Sequence, residues 1–268
     1  MPAHAHTRSS SSMPIDVLIP AIEKDLVTLP HVIDAVKKHV KHPIRRILIV
    51  APYREKIVDM CRRKGCKFIN ENTVLPFTKK DIHYRSKKWE RSGWLFQQLL
   101  KWSGDKLCKS DYFLVIDADT VLIRPHVFRS GGRTMFYCRT WTQPEYYRTY
   151  RRLMKRKPTA PLSFVTHYML FNRSKLAQLK RSIEAKHQTK WYTAIQNSMN
   201  KARNYGFSEF ETYGNYMYTR SPGALVLKKA LNKGLSMKFS QVSPDTIKKL
   251  AAKYRSISFH KRKGYARK

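Results

Sequence analysis

The sequence predicts an α/β fold with a mostly parallel central sheet flanked by helices, and three observations carry that prediction. First, short apolar runs at Ile15 to Ile19, Ile47 to Val50 and Cys66 to Ile69 alternate with two segments of helical periodicity. Parallel strands need a crossover between them, and strand-helix-strand-helix-strand order supplies it. Second, a fourth run, Tyr112 to Ile116 (YFLVI), is continuously apolar or aromatic, as a strand buried on both faces must be. Third, 268 residues with ordinary apolar content can bury one large core or two small ones.

Taken in order, Met1 to Ser12 (MPAHAHTRSSSS) lacks an apolar segment and reads as a disordered leader or tag, with Met13 as the native start. The first strand is closed by Pro20 and opens into AIEKDLVTLP. Thr28 is placed to cap a helix from Leu29 to Val40, with Val32, Ile33, Val36 and Val40 on one face and Lys37, Lys38 and Lys41 on the other. A second helix, Glu55 to Lys64, stops at Gly65. From Leu75 to Lys101 the chain begins polar and becomes helical, with Ser92 as cap and Trp94, Leu95, Leu99 and Trp102 as the apolar face. Beyond the fourth strand, Arg133 to Cys138 reads as a strand and Glu145 to Lys155 as a very basic, tyrosine-rich helix. Helices are expected from a Ser174 cap to about Glu184, from about Thr189 to Lys201, from a Ser208 cap, and from Pro244 to Lys253. Arg255 to Phe259 reads as an edge strand.

The fourth strand ends on Asp117 and Asp119. Two carboxylates one residue apart at the mouth of a buried strand repel each other and lose hydration, which favours a divalent cation held by oxygen ligands. Ligands in open α/β sheets sit beyond the carboxyl ends of the strands, where this pair lies. After Asp111 only Asp117, Asp119, Glu145, Glu184, Glu209, Glu211 and Asp245 remain as acids, so two of the few acids are paired here and two more at Glu209 and Glu211. Glu209 and Glu211 stand among Phe207, Phe210, Tyr213, Tyr216 and Tyr218, a setting that raises a carboxyl toward the range of a general base. At 100° per residue they lie about 200° apart on a helix, so only one can face a common pocket. Near the start of the helix at Ser92, Arg85, Lys88 and Arg91 stand where backbone N–H groups favour phosphate. His167, flanked by Val165 and Met169, reads either as a core histidine or as a functional one.

The charge balance is extreme. Fifty-four Lys and Arg against 18 Asp and Glu leave a net +36, which draws the surface to polyanions: nucleic acid, anionic lipid or an acidic polymer. Basic residues thicken at Arg148 to Lys157 and at His260 to Lys268, without an RNA-binding motif or zinc-finger spacing. No apolar run approaches the roughly 20 residues that span a bilayer. Cys61, Cys66, Cys108 and Cys138 have no zinc-ribbon spacing and read as reduced thiols of a cytoplasmic protein. A phosphatase that opens on Asp-x-Asp-x-Thr would need a second acidic motif downstream, and Asp245 is the only aspartate left after Thr120. A non-enzymatic polyanion or nucleic-acid binder would explain the charge but not paired acids that repel phosphate.

A hydrophobic strand followed by Asp-x-Asp resembles the metal and sugar-nucleotide motif of GT-A-fold glycosyltransferases. The series IPAIEKD, GWLFQQLLK, DADTVLIRP, THYMLF and SEFETYG is similar to bacterial glycosyltransferase-like proteins of a domain of unknown function. The Gly-Trp-x-x-Gln-Gln-x-x-Lys pattern looks like the helix before the Asp-x-Asp strand in such families, and Ser163 to Leu176 resembles an acceptor-side segment of retaining members. His260 and the basic residues after it resemble a C-terminal His-Gly-Lys segment of those members. The resemblance implies one GT-A-type domain, a Rossmann-like parallel sheet flanked by helices, over residues 13–268. Its nucleotide-sugar half is 13–125, its acceptor half 126–259, and 260–268 form a basic tail. It implies Mn²⁺ or Mg²⁺ on Asp117, Asp119 and His260. The donor, a nucleoside-diphosphate sugar and most simply a UDP-sugar, would lie against Arg85, Lys88, Arg91, Asp117 and Lys263. Glu209 or Glu211 would deprotonate the acceptor if the reaction inverts, and retention would need no such base. The expected acceptor is a glycan or anionic polymer, or its lipid-linked precursor, met in the cytoplasm or peripherally at an anionic membrane surface. No specific nucleic acid is expected.

Overall fold

The computed structural model describes residues 13–87 and 89–259. In chain order the elements are β1 (Ile15–Pro20), α1 (Leu29–His39), β2 (Ile44–Ala51), α2 (Glu55–Lys64), β3 (Lys67–Asn70), α3 (Ser92–Trp102), α4 (Gly104–Leu107) and β4 (Tyr112–Ile116). They continue with β5 (Thr120–Leu122), β6 (Arg129–Ser130), β7 (Arg133–Cys138), α5 (Pro144–Met154), β8 (Tyr168–Asn172), α6 (Arg173–His187), α7 (Trp191–Ser198) and α8 (Glu209–Arg220). The last are β9 (Leu225–Lys229), β10 (Asn232–Gly234), α9 (Pro244–Lys253) and β11 (Ser256–Ser258).

The main sheet has the order β3-β2-β1-β4-β8. Its first four strands are parallel and β8 is antiparallel to β4, so the expected α/β architecture with a mostly parallel sheet holds. Successive side chains on a strand point to opposite faces. Leu18, Phe113 and Val115 therefore join the core under α3 and α5 to α8, while Val17, Ile19, Leu114 and Ile116 join the core under α1 and α2. Burial on both faces is why β1 and β4 read as unbroken apolar runs, each such side chain contributing about 1.5–3 kcal/mol relative to exposure. The one charge in β1, Asp16, is fully buried and bound by Arg46 at 2.8 Å and by the Lys109 amide at 2.6 Å, which clips β1 to the entry of β4.

Two smaller sheets, β10-β11-β5 and β6-β7-β9, complete the fold, the first through β5, which follows the turn at the end of β4. The last strand lies between β10 and β5, and not at an edge as its sequence suggested, because β5 offers it an antiparallel partner directly after the Asp117 turn. Three expected caps also differ. Thr28 and Ser92 make no side-chain cap: Thr28 is buried, and Ser92 is the first residue of α3, accepting from the Tyr84 amide at 3.1 Å and donating to the Ile82 carbonyl. Asn172, not Ser174, caps α6 by accepting from the Lys175 amide. Ser208 caps α8 as expected, and Gly65 ends α2 at φ 61°. Among the described residues no helix is long and apolar enough to cross a membrane, and the four cysteines are free thiols.

Candidate active site

The chain turns sharply where β4 ends. The Thr120 amide donates to the Asp117 carbonyl at 3.1 Å, so Asp117 and Asp119 flank a tight turn around buried Ala118 before β5 begins. The Asp117 amide donates to the His167 carbonyl at 2.9 Å, and the Phe259 amide donates to the Asp119 carbonyl at 3.0 Å. Segments from three parts of the chain therefore fix the turn.

Into this turn α3 delivers Lys101. Leu95, Phe96, Leu99 and Trp102 face the core, which leaves Gln98 and Lys101, three residues apart, on one flank and both buried. The Lys101 ammonium lies 2.7 Å from Asp117 Oδ1 and 2.7 Å from Glu209 Oε1, with the Phe210 ring centroid 4.7 Å away. The buried Gln98 side-chain amide faces the same Glu209 carboxylate, to which its nitrogen can donate. On the other side His167 Nδ1 is 3.3 Å from Asp117 Oδ2. The result is a continuous chain of ionisable groups, Glu209, Lys101, Asp117 and His167, contributed by α8, α3, the β4 turn and the segment before β8.

A lysine that is 3 % exposed survives only with its charge matched. Burial works against the Lys101 ammonium, but the charges of Asp117 and Glu209 outweigh it and raise its pKa. Burial alone would raise Asp117; Lys101 and His167 overcome it and hold the carboxyl below the usual range. For Glu209 burial wins over Lys101, and its pKa is raised. Asp25, in the turn after β1, is pushed up to about 6, first by burial and then by the charges of Asp119 and Asp117. Asp117 and Asp119, one residue apart at the end of β4, are hard oxygen donors of the kind that suits Mg²⁺ or Mn²⁺. Among the described residues no group of three or more His, Cys, Asp or Glu converges on one point to hold an ion.

The residues singled out from sequence fall in four places. Asp117 and Glu209 come together through Lys101, and Asp119 lies two residues past Asp117 across the same turn. Glu211 points to the opposite flank of α8, accepting from Ser163 Oγ at 2.6 Å, the Phe164 amide at 3.2 Å and Asn215 Nδ2 at 2.8 Å; burial pushes it up to about 7 despite these donors. Arg85 and Arg91 lie at the start of α3. Arg85 lines a groove of about 650 Å³ with Lys79, Lys80, His83 and Glu90, while Arg91 is buried, its guanidinium 4.2 Å from the Trp94 ring and its Nε bonded to the Asn204 carbonyl. The α3 N-terminus is already met by Glu90, which accepts from the Ser92 amide at 2.7 Å. Lys88, His260 and Lys263 lie outside the described residues. Sequence reasoning passed over Lys101 and Asp25. The lysine closing the Gly-Trp-x-x-Gln-Gln-x-x-Lys pattern was the available signal for the first; Asp25 had none beyond following a strand.

Residues 20–234 match a family described as "Family of unknown function (DUF6492)". The chain belongs to the DUF6492 family. No curated protein matches it. Among solved structures, this DUF6492 chain is similar to an active-site mutant of LgtC, with TM-score 0.50 and 11 % identity over 92 % of this chain and 87 % of that one. It also matches the WbbM bifunctional glycosyltransferase at TM-score 0.46 and 13 % identity, covering 96 % of this chain but 47 % of that one, so it spans about half of WbbM. A third match is glucosyl-3-phosphoglycerate synthase from Mycobacterium tuberculosis, in complex with Mn²⁺ and UDP, at TM-score 0.35 and 14 % identity over 69 % of this chain and 68 % of that one. LgtC is a galactosyltransferase. At TM-score 0.50 and 11 % identity, the likeness to LgtC shows that this DUF6492 chain has the GT-A fold.

Proposed function

We propose that the chain is a glycosyltransferase that moves a sugar from a nucleoside-diphosphate sugar, most simply a UDP-sugar, to a glycan or anionic polymer acceptor or its lipid-linked precursor. The observation that carries this reading is the buried ionic chain of Glu209, Lys101 and Asp117 at the carboxyl end of β4. A fold needs no lysine sealed between two carboxylates for stability, since such groups rarely outperform apolar residues of the same size. Rigid placement of charge at a ligand-binding strand end is what an active site needs.

In this reading Asp117 and Asp119 would hold Mn²⁺ or Mg²⁺, with His260 as a third ligand. When bound, the ion supplies positive charge to the leaving diphosphate. Lys101 fixes the rotamers of Asp117 and Glu209 together, so the metal-motif carboxylate and the candidate base keep one spacing. His167 holds the second oxygen of Asp117. Glu209, its affinity for a proton raised by burial and its carboxylate linked through Lys101 to Asp117, is the better placed of the two glutamates to take the acceptor proton if the reaction inverts. Glu211 instead fastens the Ser163–Phe164 segment, and through it the approach to His167. Arg85, Lys88 and Lys263 would meet the diphosphate. Residues 13–125 would carry the donor and 126–259 the acceptor, although β8 and β11 of the second half complete sheets begun by the first.

The test is release of UDP from a panel of UDP-sugars, with and without Mn²⁺. Wild-type protein should show metal-dependent release, and Asp119→Ala should lose it while melting at the wild-type temperature. Undiminished release by the variant would refute the assignment.

A further inference from the structure

Away from this site, the most one-sided surface is the outer face of α5. The helix buries Tyr146, Thr149, Tyr150, Leu153 and Met154. Its exposed row is Arg148, Arg151 and Arg152, spaced by three and four residues and therefore aligned on one side of the helix, and it runs on through exposed Lys155, Arg156 and Lys157. The one acid of the helix, Glu145, is buried and spoken for by Arg148 at 3.0 Å and Arg152 at 3.3 Å. One buried acid answers two of these cations, and the remaining positive charges of the face stand together in solvent. The wider segment is equally unbalanced: from Arg139 to Lys190 thirteen Lys and Arg face two acids, Glu145 and Glu184.

One apolar feature heads the row. The loop from β7 into α5 carries Trp141, 48 % exposed, with the Arg139 guanidinium 5.7 Å from its ring. An indole beside cations suits the boundary between lipid headgroups and acyl chains, where its ring is half apolar and its N–H stays wet. A basic helix lying flat with an aromatic anchor is the composition that seats on anionic bilayers. Single-stranded nucleic acid would instead want a row of exposed rings on which bases stack, and Tyr146 and Tyr150 of α5 are turned inward.

We propose that the outer row of α5, with Trp141 at its head, is a docking surface for an anionic lipid bilayer. The inference rests on the charge and exposure of this face, independently of the transferase assignment.

Co-sedimentation of the full chain with phosphatidylcholine vesicles, with and without phosphatidylserine, tests it. Binding should require phosphatidylserine and fall away at high salt, since exposed charge is screened over about 10 Å at 0.1 M. The triple variant Arg151→Glu, Lys155→Glu, Arg156→Glu, which spares the two arginines held by Glu145, should bind at least about tenfold more weakly at one ionic strength while melting like wild type. The matched variant Lys37→Glu, Lys38→Glu, Arg63→Glu on α1 and α2 should keep most of its binding. Trp141→Phe should remove the blue shift of tryptophan emission that vesicles induce. Equal loss from both triple variants would overturn the proposal, because the whole surface and not α5 would then be responsible. Binding of oligonucleotides or heparin with none to phosphatidylserine vesicles would overturn it in favour of a polymeric anion.

Discussion

Lys101 holds two carboxylates that lie 16 and 108 residues further along the chain. Replacing it with Met leaves Asp117 and Glu209 buried without their ammonium, a loss of about 3–5 kcal/mol by analogy with other broken buried pairs. Both carboxylates would then favour protonation, so the loss should be greatest at neutral pH and shrink as pH falls toward 4, which thermal melts across pH would show. Glu211 makes a second, opposite pH signature. Its folded-state pKa of about 7 lies above the ordinary 4.5, so its contribution to stability is fully present below 4.5 and is lost as pH rises through 7. Glu211→Gln should flatten stability between those values and exceed wild type above pH 7 by up to about 3 kcal/mol, measured by urea unfolding. Of these groups the acids stood out in the sequence because so few acids remain after Asp111. Lys101 did not, because a lysine on an amphipathic helix reads as a solvated residue until the partners that bury it are known.

At the scale of elements, α8 is the piece most tightly confined, with Glu209 to Met217 buried all round. Gly214 sits in its middle, where glycine ordinarily costs about 1 kcal/mol relative to alanine. A Cβ there would overlap the Phe164 ring, which is itself fully buried beside the Ser163–Glu211 bond. Gly214→Ala should therefore destabilise by about 1–3 kcal/mol in spite of its better helix propensity, and should lower activity by displacing the segment that leads to His167. Equal or greater stability in a chemical melt would show that the segment yields without consequence. The long elements were legible because each is set by its own residues: the apolar stripe of α1, Gly65 after α2, the unbroken run of β4. Strands such as β5, β9 and β10 were not, since none carries the unbroken apolar run of β4 and each forms only when a partner far along the chain arrives; the two-residue β6, a short hairpin with β7, is too brief to show a period. The same reason moved the last strand from an edge to the middle of its sheet, and let Asn172, one residue before α6, take the cap expected of Ser174.

For the whole molecule, two properties set on different parts of the chain meet in one fold. Acid stands beyond the ends of the central strands, Asp25 after β1 and Asp117 and Asp119 after β4, while the chain as a whole carries a net +36. A surface of this sign attracts anionic donors and acceptors from solution, so association should slow as salt rises even where the chemical step is unchanged. The parallel sheet and its strand-end acids were legible from sequence because local patterning specifies them; the closure of the site was not, because it depends on α3, α8 and β8 meeting around β4.

The central claim, that the acids at the end of β4 hold a nucleoside diphosphate through a divalent ion, is tested most directly by the melting temperature with UDP, with and without Mn²⁺, for wild type and Asp119→Ala. At a hundredfold excess over Kd the account predicts a rise of roughly 5–10 °C in wild type, only when both are present, and none in the variant. An equal rise in the variant, or no rise in wild type with UDP, GDP, CDP or dTDP, would contradict it.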